Sequence, residues 1–241
     1  MAEGARAGAL LDACVLYPTV MREMLLGCAA RGLFRPLWSR RIEAEWLHTA
    51  ARRDTGRDTG RNTGRDTGRD AGRNTARNTG RNTGRNTGHD AGAHGAILAR
   101  GEVARLHAAW PGARVEARAG LEAQLWLPDP ADRHVLAAAI SARARWIVTQ
   151  NLRDFPRRVL GEFALEAVHP DAFLFGLWRQ QPGVVRQVAT AVHDEAVRLS
   201  GQGWSVRRLM KKARLPRLGK ALEQAAASPR AAPALARGRR R

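Results

Sequence analysis

Apolar and polar positions divide the chain into short strand-and-helix segments, a long polar repeat, further strand-and-helix segments and a closing run of helices. Ala9-Leu10-Leu11 is a brief apolar run ended by Asp12, the length of a buried strand. Pro18 can open a helix over residues 19–31, where Met21, Met24, Leu25 and Cys28 share one face before Gly32 stops it. Ser39 suits the N-cap of a second helix with Ile42, Trp46 and Ala50 on its inner side, and Glu45 borders that stripe. Ile97, Leu98, Val103, Leu106 and Trp110 keep helical spacing up to Pro111-Gly112. The nearly all-apolar segment 135–140 predicts a buried helix, entered through Asp129-Pro130-Ala131-Asp132. Trp146-Ile147-Val148-Thr149 predicts a short buried strand closed by the polar turn Gln150-Asn151-Leu152-Arg153-Asp154. After Pro170 the strand signals end, and helices are predicted over 171–179, 184–199, 204–213 and 218–226. Strands alternating with helices predict an α/β layer structure on a parallel sheet, followed by a small all-helical part.

Residues 53–92 break this pattern with ten consecutive tetrapeptides of the form Arg-(Asp/Asn)-Thr-Gly and minor variants. Gly at nearly every turn costs a helix roughly 1 kcal/mol each relative to Ala, and no apolar residue larger than Ala is available to bury. Disorder is the expectation for 53–95. The repeat reads either as an RNA-gripping arginine segment or, preferably, as an expansion tolerated in a surface loop, since loop-closure entropy rises slowly with length. The expected organisation is an α/β domain over 1–169 interrupted by this repeat, a helical domain over 170–227, and a basic disordered tail over 228–241.

Charge adds a partner class. The formal net charge is +19, and residues 201–241 hold twelve Lys/Arg against one acid, Glu223. Such an excess favours polyanions, nucleic acid first, while an Arg-rich genome is the alternative origin. No apolar run approaches the roughly 18 residues needed to cross a bilayer. Cys14 and Cys28 both lie in apolar segments and read as reduced, buried hydrophobes, and no Cys/His spacing suggests zinc. Together with an N-terminus unlike a signal peptide, these features lead to the expectation of a cytoplasmic protein.

Candidate chemistry gathers at strand ends. Asp12 ends the first strand, Glu45 lies on the second helix, Asp132 starts the alanine-rich helix, and Asn151 and Asp154 follow the last strong strand. In a parallel sheet these positions share one edge, and carboxylates converging there need a hard cation such as Mg²⁺ or Mn²⁺. Taken singly, each has an ordinary structural role: Asp132 as an N-cap, Glu45 as a solvated helix charge, Asp12 and Asn151 as turn residues, and Asp154 as a surface carboxylate beside Arg153 or Arg157.

The segments Leu11–Pro18, Trp38–Trp46, Asp129–Ala139 and Ile147–Pro156, in that order, resemble the motifs of the PIN-domain family, in particular VapC-type toxins with an added C-terminal helical domain. The likeness, which includes Val168–Leu174, covers most of the chain outside the repeat and tail. It implies a three-layer α/β/α fold with a central parallel sheet and a Mg²⁺- or Mn²⁺-dependent endoribonuclease, commonly restrained by a cognate antitoxin and often dimeric. By motif, Asp12, Glu45 and Asp132 would hold metal. The family's fourth acid falls on Asn151, with Asp154 three residues on as the alternative. Thr149 is a candidate for orienting a metal-bound water, or for bonding backbone. Glu43 occupies the wrong motif position, Asp129 reads as a turn-former and Asp171 as a helix cap. His134 and His169 read as structural or solvent-facing, and Trp204 is the tryptophan best placed for base stacking. The competing functions are a non-catalytic RNA-binding protein on the same fold and a nuclease acting on structured DNA.

Overall fold

The computed structural model describes residues 6–54 and 87–227. Most of the tetrapeptide repeat and the basic tail therefore lie outside the described residues. Among the described residues, five strands and eleven α-helices appear in the order β1 Gly8–Leu11, α1 Ala13–Leu16, α2 Thr19–Ala30, β2 Arg35–Ser39, α3 Arg40–Asp54, α4 Thr87–Ala109, β3 Arg114–Val115 and α5 Leu121–Gln124. They continue with α6 Arg133–Ser141, β4 Trp146–Val148, α7 Arg157–Gly161, β5 Glu166–Val168, α8 Pro170–Gln180, α9 Pro182–Ser200, α10 Val206–Lys212 and α11 Pro216–Ala227. Helix α3 runs into the first residues of the repeat and α4 begins within its last six, beyond where apolar spacing places them. Once nucleated on a packed face, a helix gains one hydrogen bond per added residue and outlasts its apolar stripe.

All strands are parallel and ordered β3-β2-β1-β4-β5, flanked by helices as the sequence predicts. The chain winds outward from β1 through β2 to β3, then returns to the other side of β1 for β4 and β5. The reversal places a crevice at the carboxyl ends of β1 and β4, where connections diverge in opposite directions. Asp12 leaves β1 at that point, and Thr149 leaves β4 beside it, with the Asp12 N–H donating to the Val148 carbonyl at 3.1 Å.

Strand β2 carries Pro36 inside the sheet, which argues against a strand when read locally. The N–H of Arg35 bonds Ala7 on the β1 side, and that of Trp38 bonds Ala113 on the β3 side. Pro36 thus faces the β3 side, where pairing begins only at Trp38 opposite Arg114, so its missing donor breaks no ladder bond.

The core is continuous. Leu10, Leu11, Ile147, Val148 and the α6 residues Val135 to Ala139 are all fully buried, and Leu174, Val185, Met210 and Leu218 of the later helices belong to the same apolar cluster. Phe173 on α8 sets its ring edge-on to Phe34 at 5.0 Å and Trp146 at 5.4 Å, seating the helical part on the sheet. Buried Arg22 fastens α2 to its neighbours: it donates to the Leu16 carbonyl at 2.8 Å, pairs with Glu102 of α4 at 3.1 Å and stacks 4.8 Å over Trp46 of α3. Buried Glu43 accepts from Trp38 at 2.7 Å and lies 2.5 Å from His107 of α4. The two anchors join α3 to α4 on either side of the repeat. Asp171 opens α8 yet caps another helix, accepting from the N–H groups of Arg217 and Leu218 at the start of α11 at 2.9 and 3.0 Å. The cap on α8 itself is His169, whose ring accepts from the Asp171 N–H. Among the described residues no helix is long and apolar enough to cross a membrane.

Candidate active site

Four short segments meet at the β1/β4 crevice. The Asp12 carboxylate is fixed by its neighbours: Oδ2 accepts from the Thr149 hydroxyl at 2.7 Å and from the Cys14 thiol at 3.0 Å. Thr149 is fully buried, and its hydroxyl also accepts the Asn151 N–H at 3.0 Å. One side chain thus sets both Asp12 and the turn that follows β4. Burial, first, and the Asp12 charge, second, push the Cys14 thiol up to about 12, so it serves here as a neutral donor.

Asp132 stands at the start of α6 without capping it, which leaves its carboxylate directed elsewhere. Asp129, Asp132 and Asp154 can each offer an oxygen such that all three lie within 4.8 Å of one another. Asp129 performs its expected turn role, accepting from the Ala131 N–H at 2.8 Å, and joins this group as well. The Asp132 carboxyl is pushed up to about 6, first by desolvation and then by the charges of Asp12, Asp129 and Asp154. Negative charge at this point is therefore undercompensated by the protein alone.

The remaining predicted residues are placed less uniformly. Asn151 is exposed and donates through its side chain to Asp154, so at this corner the acid stands in the carboxylate group and the amide supports it. Glu45 is outside the three-carboxylate group. Its Oε1 lies 2.8 Å from His134 Nε2 and 3.9 Å from Arg41. His134 is buried, and neither ring nitrogen has a well-aligned hydrogen bond among the described residues, the Glu45 contact being close but off-line. Glu43 points into the core and is occupied by Trp38 and His107. Sequence reasoning passed over three contributors: Cys14, Gln150, which donates its N–H to Cys14 Sγ and its side-chain amide to the Cys14 carbonyl, and His134 beside Glu45. Their only sequence signal was position within two residues of Asp12, Asn151 or Asp132.

Residues 8–153, more than half the chain, match the family described as PIN domain. The chain belongs to the PIN domain family. The matched residues hold β1 to β4 and the acids Asp12, Asp129 and Asp132, while Asp154, β5 and α8 to α11 follow them in the chain. A relative, "Putative ribonuclease VapC50" of Mycobacterium tuberculosis, is 56% identical over 43 residues, which is 18% of this chain and 25% of that protein. The chain thus matches only about a quarter of that relative's length. No solved structure matches the chain.

Proposed function

We propose that this PIN protein is an endoribonuclease that hydrolyses RNA phosphodiester bonds with Mg²⁺ or Mn²⁺, and that it is the toxin of a toxin–antitoxin pair. The observation that carries the reading is the grouping of the Asp129, Asp132 and Asp154 carboxylates at one sheet edge, where desolvation first, and then the charges of Asp12, Asp129 and Asp154, hold Asp132 well above the usual carboxylate range. An all-oxygen, multiply charged donor set suits a hard divalent cation and offers nothing to a soft one. In this reading Asp12, Asp132 and Asp154 hold the metal, with Asp129 beside them and Glu45 at the rim. When bound, the cation supplies Lewis acidity to a water and to the scissile phosphate.

The protein's own residues supply the geometry. Thr149 and Cys14 orient Asp12, Asn151 orients Asp154, and His134 stands against Glu45. PIN membership and the name of the partial relative support ribonuclease chemistry, and the net charge of +19 suits a polyanionic substrate. A cognate antitoxin, a homodimer and a cytoplasmic location belong to the same proposal. An adjacent small open reading frame whose product suppresses cleavage on co-expression supports the antitoxin.

The decisive assay is cleavage of a long single-stranded RNA with Mn²⁺ or with EDTA, by wild type, Asp12→Asn and Asp132→Asn. Cleavage that requires Mn²⁺ and vanishes in both folded variants is expected. Equal cleavage by a folded Asp12→Asn/Asp132→Asn double variant overturns the proposal. The position of Glu45 against His134, outside the carboxylate group, favours the second reading, an RNA binder without turnover. Tight RNA binding by wild type with no cleavage in Mn²⁺ would establish that one instead.

A further inference from the structure

The strongest feature outside the acid cluster is a cationic ridge on α10 and α11. Residues 207–220 hold seven Lys/Arg and no acid, and all seven side chains are exposed. Arg207 pairs with Glu223, while the other six have no carboxylate partner among the described residues. The nearest buried acid, Asp171, is occupied by two backbone N–H groups. The apolar residues of the same helices, Leu209, Met210, Leu218 and Leu222, face inward and are buried.

The ridge is ordered. Arg208 lies 4.8 Å and Lys212 4.5 Å from the centre of the Trp204 ring, whose indole N–H reaches Ser200 Oγ at 3.3 Å. Trp204 therefore carries cations, where the sequence suggested an open stacking face. Arg217 is held in the same way, 4.6 Å over Phe175 of α8. Cation–π contacts at exposed sites fix long side chains without neutralising them, so the charge stays available.

The ridge is also hooked to the acid cluster. Arg214, in the turn between α10 and α11, has φ +61°, a left-handed state that non-glycine residues rarely adopt. Its guanidinium donates to Gln150 Oε1 at 2.8 Å, and the Gln150 amide donates to the Cys14 carbonyl at 2.7 Å. Gln150 directly precedes Asn151, and Cys14 bonds Asp12. The positive ridge thus begins two side chains from the crevice.

The geometry points to α10–α11 as the track along which the sugar–phosphate backbone of the RNA substrate is held as it enters the acid cluster. The inference rests on the ribonuclease reading, which supplies the identity of the polyanion. A crevice lined by carboxylates repels phosphates, and a cationic approach beside it offsets that repulsion and steers the strand inward. An acidic protein partner is the competing occupant, but a protein interface is centred on apolar or aromatic anchors in a desolvated core. Here those groups are buried or already covered by cations.

The test uses the full chain, a fluorescein-labelled single-stranded RNA of about twenty nucleotides, and anisotropy in EDTA so that no strand is cut. Variants are Arg208→Gln/Lys211→Gln/Lys212→Gln and, as a surface control of like kind, Arg100→Gln/Arg105→Gln on α4. Thermal melting confirms that each is folded. The ridge variant is expected to bind about tenfold more weakly and to lose about two from the slope of log affinity against log salt, at about 0.7 per phosphate contact. The control keeps wild-type values. Wild type that fails to bind, a ridge variant that binds as wild type does, or an equal loss in the control overturns the inference. Tighter binding of a Glu/Leu peptide than of RNA at the same ionic strength also overturns it, in favour of a protein interface. Adding Mn²⁺ separates the two proposals: absence of cleavage with ridge-dependent binding defeats the nuclease reading alone, and cleavage with ridge-independent binding defeats the track alone.

Discussion

Thr149→Val replaces a buried hydroxyl by a methyl of nearly the same shape, so it deletes hydrogen bonds without opening a cavity. Three are lost: the 2.7 Å bond donated to Asp12, the 3.0 Å bond accepted from the Asn151 N–H and a longer 3.4 Å contact with Cys14 Sγ. A hydrogen bond to a charged group contributes about 1.5–3 kcal/mol. Asp12 keeps the Cys14 thiol as a donor, and exposed Asn151 can turn to water, so the net loss of stability is about 1–2 kcal/mol. For a chain of this size that lowers Tm by roughly 2–8 °C. The larger effect falls on metal. Removing an outer partner that orients a ligand weakens binding or activity about 10–100-fold. The measurement is Mn²⁺ titration by calorimetry, followed by cleavage rate against Mn²⁺ concentration. Thr149→Ser keeps the hydroxyl and is expected within about threefold of wild type, well inside the window set by that loss. Wild-type Mn²⁺ affinity and turnover in Thr149→Val would refute the claim that this hydroxyl sets Asp12.

Asp132 gives a pH test with a defined sign. Its folded pKa, about 6 against an ordinary 3.8, means that the metal-free fold holds this proton more tightly than the unfolded chain, so stability falls as pH rises from about 4 to about 6. Two units correspond to about 3 kcal/mol, and solvent screening at a half-exposed carboxyl reduces this to about 1 kcal/mol. Urea unfolding in EDTA across that range should show the decline in wild type and a flatter profile in Asp132→Asn. Asp154→Asn is expected to weaken Mn²⁺ binding at least about tenfold and Asn151→Ala by much less, and the reverse ranking would return the fourth corner to Asn151. Asp171→Ala removes the acceptor for two N–H groups of α11 and should cost about 2–3 kcal/mol in urea unfolding, with Asp171→Asn losing less.

The elements with long or uniformly apolar faces were legible in the chain. Helices α2, α6, α9 and α11 and strands β1 and β4 lie within two residues of their predicted positions, because their burial is written as periodicity. Strands β2, β3 and β5 were not read. They are five, two and three residues long, too short for a period to register, and β2 carries a proline whose harmlessness depends on where β3 ends.

At the site, the sequence by itself determined the kinds of group and the edge they occupy: acids after β1 and β4 and before α6, on a parallel sheet that turns all strand ends one way. Tertiary structure alone decided their company. That Asp129 joins Asp132 and Asp154, that Glu45 meets His134, and that Thr149 holds Asp12 are contacts of side-chain direction, several of them between residues far apart in the chain. The same holds for Asp171, which caps α11 rather than its own helix, and for Arg214, which hooks the basic ridge to Gln150. Periodicity fixes which face of an element is buried. Which groups meet across that face is fixed only once the elements have packed.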